Sequence, residues 1–225
     1  MTTLMRVDAS ARGERSFSRL LGDQFERHWR ESLNGSRTLL ADLLQVPPPL
    51  VSEAFIAAAY TDPDQLDDHG RAALAYSDKI LRELANADAL LITTPMYNFG
   101  LPGALKAWFD QIIRIGVSFG TTDDPAQPYV PLLQDKPVVV ITTRGSADMA
   151  AGGAQSDLDF LTPHMRTLLA FIGFSNPVFF DICGTEGSPE TWEHELAKTQ
   201  IALEQAAKVQ ARTFGFLSVA NLMTA

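Results

Sequence analysis

Short apolar runs alternate along the chain with longer segments in which apolar residues recur every three or four positions. Several of the short runs are apolar without alternation, which is typical of strands that helices cover on both faces of a sheet. The pattern therefore predicts five β-strands, at Leu4–Asp8, Thr38–Leu43, Ala89–Thr93, Val138–Thr142 and Pro177–Asp181.

The segments between these runs have the apolar spacing of amphipathic helices. In the clearest case six apolar residues share one helical side, and Pro102 stands where the first turn of a helix tolerates proline. The six are Leu101, Ala104, Leu105, Trp108, Phe109 and Ile112. Similar stripes predict helices over Leu21–Leu33, Leu66–Leu84, Leu161–Ile172 and Trp192–Leu203.

Strands that alternate with helices predict right-handed βαβ units and an α/β fold with a parallel sheet. A length of 225 residues is within the range of one large α/β domain, so we expect a single domain over residues 1–225. Two segments, Val46–Asp64 and Phe119–Leu133, are expected to be long loops that form lids or pocket walls. Because such sheets bind ligands beyond their carboxyl ends, the loops after the first, third and fourth predicted strands are the candidate site.

Composition narrows the choice of function and compartment. The net charge is −9 and no cluster of lysine and arginine is present, which argues against a nucleic-acid-binding surface. The lone Cys183 cannot form an internal disulfide, and the N-terminus lacks the pattern of a secretory signal. No apolar run approaches the roughly 20 residues that span a bilayer. We therefore expect a cytoplasmic protein that binds neither nucleic acid nor membrane.

The first candidate loop carries hydroxyl groups ahead of a helix. Ser10, Ser16 and Ser18 lie in it, whereas the glycine-rich patterns of dinucleotide and nucleoside triphosphate sites are absent. A helix start favours an anion, and hydroxyls can surround a phosphate monoester without a lysine. The alternative is that Ser16 or Ser18 only caps the helix, and the loop by itself does not decide between the two.

The second candidate loop has the side chains that suit a flat ring. Met96, Tyr97, Asn98 and Phe99 stand between prolines and glycines that stiffen the backbone at the end of a strand. Aromatic and thioether groups offer a surface for a planar heteroaromatic, and the Asn98 amide can both donate and accept a hydrogen bond. A purely structural interpretation explains Met96 and Phe99 but not the polar interruption between them.

The residues of Met96–Asp110 (Met-Tyr-Asn-Phe-Gly-Leu-Pro-Gly-Ala-Leu-Lys-Ala-Trp-Phe-Asp) resemble the FMN-dependent NADH-azoreductase family of flavodoxin-like quinone reductases. The serine-rich first loop and Thr143-Arg144-Gly145 fall in matching places, and the resemblance runs from Leu4 to about Leu203. It implies a flavodoxin-like, doubly wound, five-stranded parallel sheet of order 2-1-3-4-5 with helices on both faces. It also implies a homodimer with two sites at the interface.

The resemblance assigns roles to three groups of residues. Ser10, Ser16, Phe17 and Ser18 would hold the FMN phosphate. The ring system would lie against Met96, Tyr97, Asn98 and Phe99. Its pyrimidine end would contact Thr143, Arg144, Gly145 and Ser146.

The third loop departs from the family pattern at two places. Ser146 stands where the family has a second glycine, and a positive φ there would make serine cost on the order of 1 kcal/mol. The following Ala147-Asp148-Met149 lacks the histidine found nearby in better-known members, which puts histidine-assisted protonation of the substrate in doubt. An alternative for Arg144 is a surface ion pair.

The reaction expected from the resemblance is NADH- or NADPH-dependent reduction of quinones and aromatic azo compounds. The flavin N5, rather than a side chain, would accept the hydride, so no catalytic residue is named. One open ring face that serves two planar reactants favours a ping-pong order. The expected aromatic walls of the substrate space are Phe99, Phe119, Tyr60 and Phe160.

Two other functions stay open at this point. The chain could be a flavodoxin-like electron carrier that a partner protein reduces, or an NAD(P)H-dependent reductase of free FMN. Both share the fold and the flavin with the main hypothesis.

Other polar residues are interpreted as structural. The four histidines show no metal-ligand spacing, so no metal site is predicted. Cys183 is expected to be inert packing, and Asp42 is interpreted as a solvated charge.

Overall fold

A central parallel sheet organises the computed structural model, which describes residues 2–223. Its strands are β1 (Thr3–Asp8), β2 (Arg37–Asp42), β3 (Ala89–Pro95), β6 (Val138–Thr143) and β7 (Val178–Ile182), in the order β2-β1-β3-β6-β7. All four pairings are parallel. The two short strands β4 (Phe119–Thr121) and β5 (Tyr129–Pro131) form a separate hairpin. Without them, the strand order of the main sheet is the predicted order 2-1-3-4-5. The predicted fold class is confirmed.

Helices cover both faces of the sheet. On one face lie α1 (Phe17–Ser32) and α6 (Pro189–Met223), and on the other lie α3 (Asp68–Asn86), α4 (Gly103–Ile112) and α5 (Leu161–Ile172). Successive residues of the central strands point to opposite layers, so that Leu91 packs with α1 whereas Ile92 packs with α4 and α5. This two-sided burial explains why the strand sequences lack alternation.

The segment Val46–Asp64 is not the loop that the sequence predicted. It contains helix α2 (Glu53–Ala59) and a 3₁₀ turn at Pro63–Gln65. The Ser52 hydroxyl accepts a hydrogen bond from the Phe55 amide at 3.1 Å and caps α2. Seven residues give two turns, too few for an apolar period to be read.

The segment Phe119–Leu133 is also more regular than predicted. β4 (Phe119–Thr121) and β5 (Tyr129–Pro131) form an antiparallel hairpin beside the main sheet. Phe119 lies 4.9 Å from the Phe171 ring of α5 and 5.9 Å from Tyr129, measured between ring centroids. Three-residue strands carry little sequence signal, and this aromatic contact with a distant helix favours the pairing.

Within residues 2–223, no helix combines the length and the apolar character needed to cross a bilayer.

Candidate functional site

Three loops meet at the carboxyl edge of the sheet, where β1, β3 and β6 end. The first loop (residues 9–16) begins with an Ala9 amide that donates to the Thr93 carbonyl at 2.9 Å. The second loop (residues 96–102) is tied to β6 by the Met96 amide, which donates to the Thr143 carbonyl at 2.8 Å. The third loop (residues 144–160) follows directly. Parallel register therefore brings the predicted site residues of all three loops to one edge.

The hydroxyls of the first loop lie at the start of α1, as predicted. Ser10, Ser16 and Ser18 are buried, and the Oγ atoms of Ser16 and Ser18 are 3.0 Å apart. Ser16 caps the helix, because its Oγ accepts a hydrogen bond from the Arg19 amide at 3.4 Å. The capping alternative is therefore correct for Ser16. It does not compete with an anion site, since the amides of Phe17 and Ser18 in the first turn have no intrahelical acceptor.

Phe17 is half-buried and lies against α6. Its ring centroid is 4.9 Å from that of Trp192, at an interplanar angle of 48°. The start of the last helix thus packs on the first turn of α1 and encloses one side of the first loop.

The second loop folds into a tight turn with two residues in the left-handed region. Tyr97 and Gly100 exchange both backbone hydrogen bonds, at 3.1 and 3.0 Å, around Asn98 (φ 47°) and Phe99 (φ 70°). Two positive φ values in a two-residue turn are the type I′ arrangement. Asparagine tolerates it, whereas phenylalanine is strained there, and such strain persists where the surroundings impose a functional shape.

A direct hydrogen bond joins the first and second loops. The Ala11 amide donates to the Tyr97 hydroxyl at 3.3 Å. The hydroxyl-lined helix start and the aromatic turn are therefore parts of one site.

Replacing Phe99 by glycine is expected to raise the free energy of unfolding by about 0.5–1 kcal/mol, because Asn-Gly is the preferred sequence of this turn. The same change removes a half-exposed aromatic ring and should lower NADH–quinone turnover. Urea unfolding and steady-state kinetics of the same preparation measure both effects. Phe160→Gly is the control, since it removes a neighbouring ring at a residue with negative φ and should not stabilise. A destabilised Phe99→Gly protein would contradict the strain argument.

The third loop accommodates Ser146 without strain. Its φ is −83° and its ψ 140°, so the positive φ considered from the sequence does not occur and serine carries no backbone cost. Its Oγ accepts from the Asp148 amide at 3.2 Å. A Cβ built on Gly145 would lie 2.5 Å from the Glu186 carboxylate carbon, which is the movable end of an exposed side chain.

Arg144 is buried rather than part of a surface ion pair, which corrects the alternative drawn from the sequence. Its guanidinium reaches Asp159 and Asp181 at 2.8 Å each and also donates to the hydroxyls of Thr142 and Thr162. The side chain is 2 % exposed. Arg144 therefore locks β6, β7 and the start of α5 together beneath the third loop.

The pKa shifts of Arg144 and of the neighbouring Cys183 agree with this structural role. Burial lowers the pKa of Arg144, but the hydrogen bond and charge of Asp181 outweigh it and raise the pKa overall. Burial likewise raises the pKa of the Cys183 thiol beside it more than the arginine lowers it. The thiol is held as a neutral, unreactive group, in agreement with its interpretation as packing.

The four predicted aromatic wall residues lie in two separate pairs. Phe160 and Phe99 are neighbours, since the Phe160 amide donates to the Phe99 carbonyl at 3.0 Å. Tyr60 and Phe119 instead line a cavity of about 420 Å³ together with residues that end α4. Ten helical residues of α4 span about 15 Å, so the second pair lies at the far end of that helix from Phe99.

Sequence reasoning missed the ion pairs behind the first loop. Asp42, interpreted as a solvated charge, pairs with both guanidinium nitrogens of Arg19 at 2.6 and 2.7 Å. Arg6 and Asp8 form a second buried pair on β1 at 2.8 Å. The sequence feature that could have indicated the Asp42–Arg19 pair is the position of Asp42 at the end of the edge strand beside β1. Among the side chains that the structure describes, no group of three or more histidine, cysteine, aspartate or glutamate residues could hold a metal ion.

The fold and the three loops define a doubly wound α/β protein of the flavodoxin-like class, with the candidate ligand site at the switch point of the sheet. A family model described as flavodoxin-like fold matches residues 2–207. The FMN-dependent NADH:quinone oxidoreductase of Opitutus terrae is 39% identical over 204 residues, 91% of this chain and 96% of the relative. FMN-dependent NAD(P)H:quinone oxidoreductase 1 of Pseudomonas aeruginosa is 38% identical over 212 residues, 92% of this chain and 100% of the relative.

The chain therefore belongs to the flavodoxin-like family of FMN-dependent NAD(P)H:quinone oxidoreductases, and the resemblance carried by residues 96–110 is confirmed. Among solved structures, an azoreductase from Bacillus anthracis has the same fold. It is 22% identical, with a TM-score of 0.82 over 92% of this chain and 99% of that one. An FMN-dependent NADH-azoreductase from Bacillus anthracis, solved in complex with FMN, is 19% identical with a TM-score of 0.81 over 94% and 100% of the two chains.

Proposed function

We propose that this chain is an FMN-dependent NAD(P)H oxidoreductase that reduces quinones and aromatic azo compounds. The observation that carries the proposal is the direct link between an anion-binding helix start and a stiff aromatic turn, through Tyr97 and Ala11. A phosphate monoester and a flat ring joined in one molecule match this pair of surfaces. FMN is such a molecule.

The donor set fits the phosphate of FMN. Ser10, Ser16 and Ser18 supply hydroxyls, and the first turn of α1 supplies unpaired amides and the positive end of its dipole. This local set offsets the unfavourable net charge of −9. We assign Phe17 to the same group, since it begins that first turn.

The second and third loops would hold the ring system. Met96, Tyr97, Asn98 and Phe99 form the wall against which a planar ring can lie, and the Asn98 side chain is exposed and can donate or accept. Thr143, Arg144, Gly145 and Ser146 would border its pyrimidine end. The Arg144 guanidinium is held by groups below the loop, and its backbone amide and carbonyl already pair with Ile182 and Thr185. Arg144 would therefore act by holding the third loop in place beside the ring rather than by a hydrogen bond of its own.

Bound FMN supplies the two-electron chemistry of the reaction. The chain contributes orientation and an apolar wall, formed by Phe99 and Phe160, against which NADH or NADPH and then the acceptor can stack. Because one space serves both reactants, the nicotinamide leaves before the acceptor enters, which is a ping-pong order. No side chain is required as a nucleophile.

The working unit in this proposal is a homodimer of single-domain subunits, each comprising residues 1–225. An exposed apolar surface supports it, formed by Val51, Ile56, Tyr60 and Tyr129 around the half-buried Phe119. Contiguous apolar surface of this kind marks an interface. In a dimer, Tyr60 and Phe119 of one subunit could complete the aromatic walls of the site in the other.

The proposed location is the cytoplasm. The single thiol, buried beside Arg144, needs no oxidising compartment. Small planar acceptors rather than nucleic acids or membranes are the proposed partners.

The test is the visible spectrum of FMN-loaded protein under anaerobic conditions before and after addition of NADH or NADPH. We expect the flavin absorbance to bleach and to return when a quinone is added, and initial-rate plots to give parallel lines. Sedimentation should give twice the chain mass of 24.6 kDa.

Each alternative predicts a different result. Protein that binds FMN but stays yellow with both nicotinamides would indicate a flavodoxin-like electron carrier. Weak flavin uptake combined with rapid reduction of free FMN would indicate a flavin reductase. Intersecting lines would refute the ping-pong order alone.

A further inference from the structure

Arg19, in the first turn of α1, contacts both ends of the first loop. Its Nε and Nη2 atoms donate to the Ser10 carbonyl oxygen at 3.2 and 3.0 Å. Its backbone amide donates to the Ser16 hydroxyl at 3.4 Å. One residue therefore connects the beginning of the loop to its end.

The other side of the same guanidinium is anchored to the sheet. Nη1 and Nη2 donate to the two carboxylate oxygens of Asp42, at the end of β2, at 2.7 and 2.6 Å. The side chains of Arg19 and Asp42 are 12% and 18% exposed. The hydrogen bond from Arg19 also holds the pKa of Asp42 below its ordinary value, so this anchor stays charged at neutral pH.

Charge alone does not explain why an arginine stands here. The ion-pair cluster behind the first loop contains three arginines, Arg6, Arg19 and Arg30, and four carboxylates, those of Asp8, Asp23, Glu26 and Asp42. The excess of carboxylates means that this cluster does not attract a phosphate. What Arg19 provides beyond its charge is a planar fork that reaches the Asp42 carboxylate and the Ser10 carbonyl at the same time.

The hydrogen bonds from Arg19 fix the orientation of the Ser10 carbonyl, and this orientation affects whether the first loop can accept an anion. A carbonyl oxygen that faced an anion would repel it, whereas the Arg19 fork holds this oxygen toward α1 and β2. The Ser10 hydroxyl accepts a hydrogen bond from the Arg12 amide at 3.3 Å, and its own proton can still be donated to a ligand.

We propose that Arg19 is a positioning residue for the cofactor phosphate, because its fork ties Ser10, Ser16 and Asp42 into one rigid unit. The proposal rests on the proposed FMN site and goes beyond it. It assigns a role to a side chain that would not touch the flavin.

The experiment compares FMN with riboflavin, which has the same ring and no phosphate. Dissociation constants are measured by quenching of flavin fluorescence for wild type, Arg19→Lys, Arg19→Gln and Asp42→Asn. Arg19→Lys keeps the charge and loses the fork, so we expect FMN to bind about tenfold more weakly, the equivalent of one contact to a charged group, with riboflavin unchanged. Arg19→Gln should lose at least as much, and Asp42→Asn should lose part of it.

Arg27→Gln is the matched control, since Arg27 is an exposed arginine on the same helix and should leave both affinities unchanged. If Arg19→Lys binds FMN as tightly as wild type does, a positive charge at residue 19 is sufficient and the guanidinium fork is not needed. That result would overturn the positioning role. Unchanged FMN affinity in the Arg19 variants, with wild type preferring FMN, would overturn the inference alone. Wild-type protein that takes up neither flavin would overturn the proposed function and the inference together. Should the Arg19 variants not fold, Asp42→Asn still decides, because it removes the charge of the anchor and leaves Arg19 in place: FMN affinity equal to that of wild type in this variant would overturn the inference.

Discussion

Replacing Arg144 by methionine is expected to lower the free energy of unfolding by about 3 kcal/mol, because Asp159 and Asp181 lose their common cation. Asp181 is 40% exposed, which places the cost at the lower end for a buried pair. Urea unfolding at pH 7 measures the change. The triple variant Arg144→Met/Asp159→Asn/Asp181→Asn should recover part of it, since no unpaired charge is left.

The cost of Arg144→Met should also depend on pH. Burial acts to raise the pKa of Asp159, but hydrogen bonds from Thr162 and Arg144 outweigh it and hold this pKa below its ordinary value. A carboxylate with a depressed pKa stabilises the folded state above its unfolded pKa of about 3.9 and loses that contribution as the pH falls through the folded value. The difference between wild type and variant should therefore be constant near neutral pH and shrink below about pH 4.

An exposed arginine provides the control for this experiment. Arg71→Met, on the solvent side of α3, should change stability by no more than about 0.5 kcal/mol. Equal stability of the Arg71 and Arg144 variants would refute the buried ion-pair assignment.

Replacing both Ser16 and Ser18 by alanine is expected to weaken FMN binding by about 100-fold, because each hydroxyl contributes one hydrogen bond to a charged phosphate. Titration followed by flavin fluorescence measures the loss. Riboflavin, which has no phosphate, should bind the double variant as it binds wild type.

Loss of the Ser16 cap will also cost helix stability, so the control must reproduce that cost elsewhere. Ser52 caps α2 in the same way, through the Phe55 amide, and lies outside the three loops. Ser52→Ala should cost about 1 kcal/mol of stability without weakening FMN. Equal FMN affinity in the Ser16/Ser18 variant and wild type would place the phosphate somewhere else.

The variants of Ser16 and Ser18, of Arg19 and of Arg144 distinguish two kinds of residue at this edge of the sheet: those that would contact the ligand and those that hold the loops. Ser16 and Ser18 are assigned to the ligand itself. Arg19 and Arg144 act through the backbone, because their guanidinium groups are already engaged by carboxylates and by carbonyl or hydroxyl oxygens. Replacing Ser16 and Ser18 should change FMN affinity directly. Replacing Arg19 or Arg144 should change the shape of the loops on which that affinity depends.

Local patterns were sufficient to predict the five strands of the main sheet, and the family resemblance of residues 96–110 implied their order. A buried parallel strand must be apolar on both faces, and that requirement is visible in a single sequence. The helix after Leu101 was equally clear, although it begins at Gly103, one residue after Pro102, which is its N-cap. The motif also identified the family to which the chain belongs.

Contacts between residues far apart in the chain were not predictable in this way. Helix α2 and the hairpin of β4 and β5 are short and depend on packing against other elements, so the sequence pattern predicts loops in their place. Asp42 looked like a solvated charge because its partner, Arg19, is 23 residues away and reaches it only after β1 and β2 pair.

The sequence by itself determined the fold class, because it follows from periodicity and from local motifs, and it predicted a ligand site among three loops at the carboxyl edge of the sheet. Only the tertiary structure decided which charges are paired, that Ser146 is unstrained, and that Tyr60 and Phe119 lie away from Phe99. Those properties depend on distances between segments that are remote in the chain, which local sequence patterns do not reveal. They also depend on backbone angles that packing imposes on a loop.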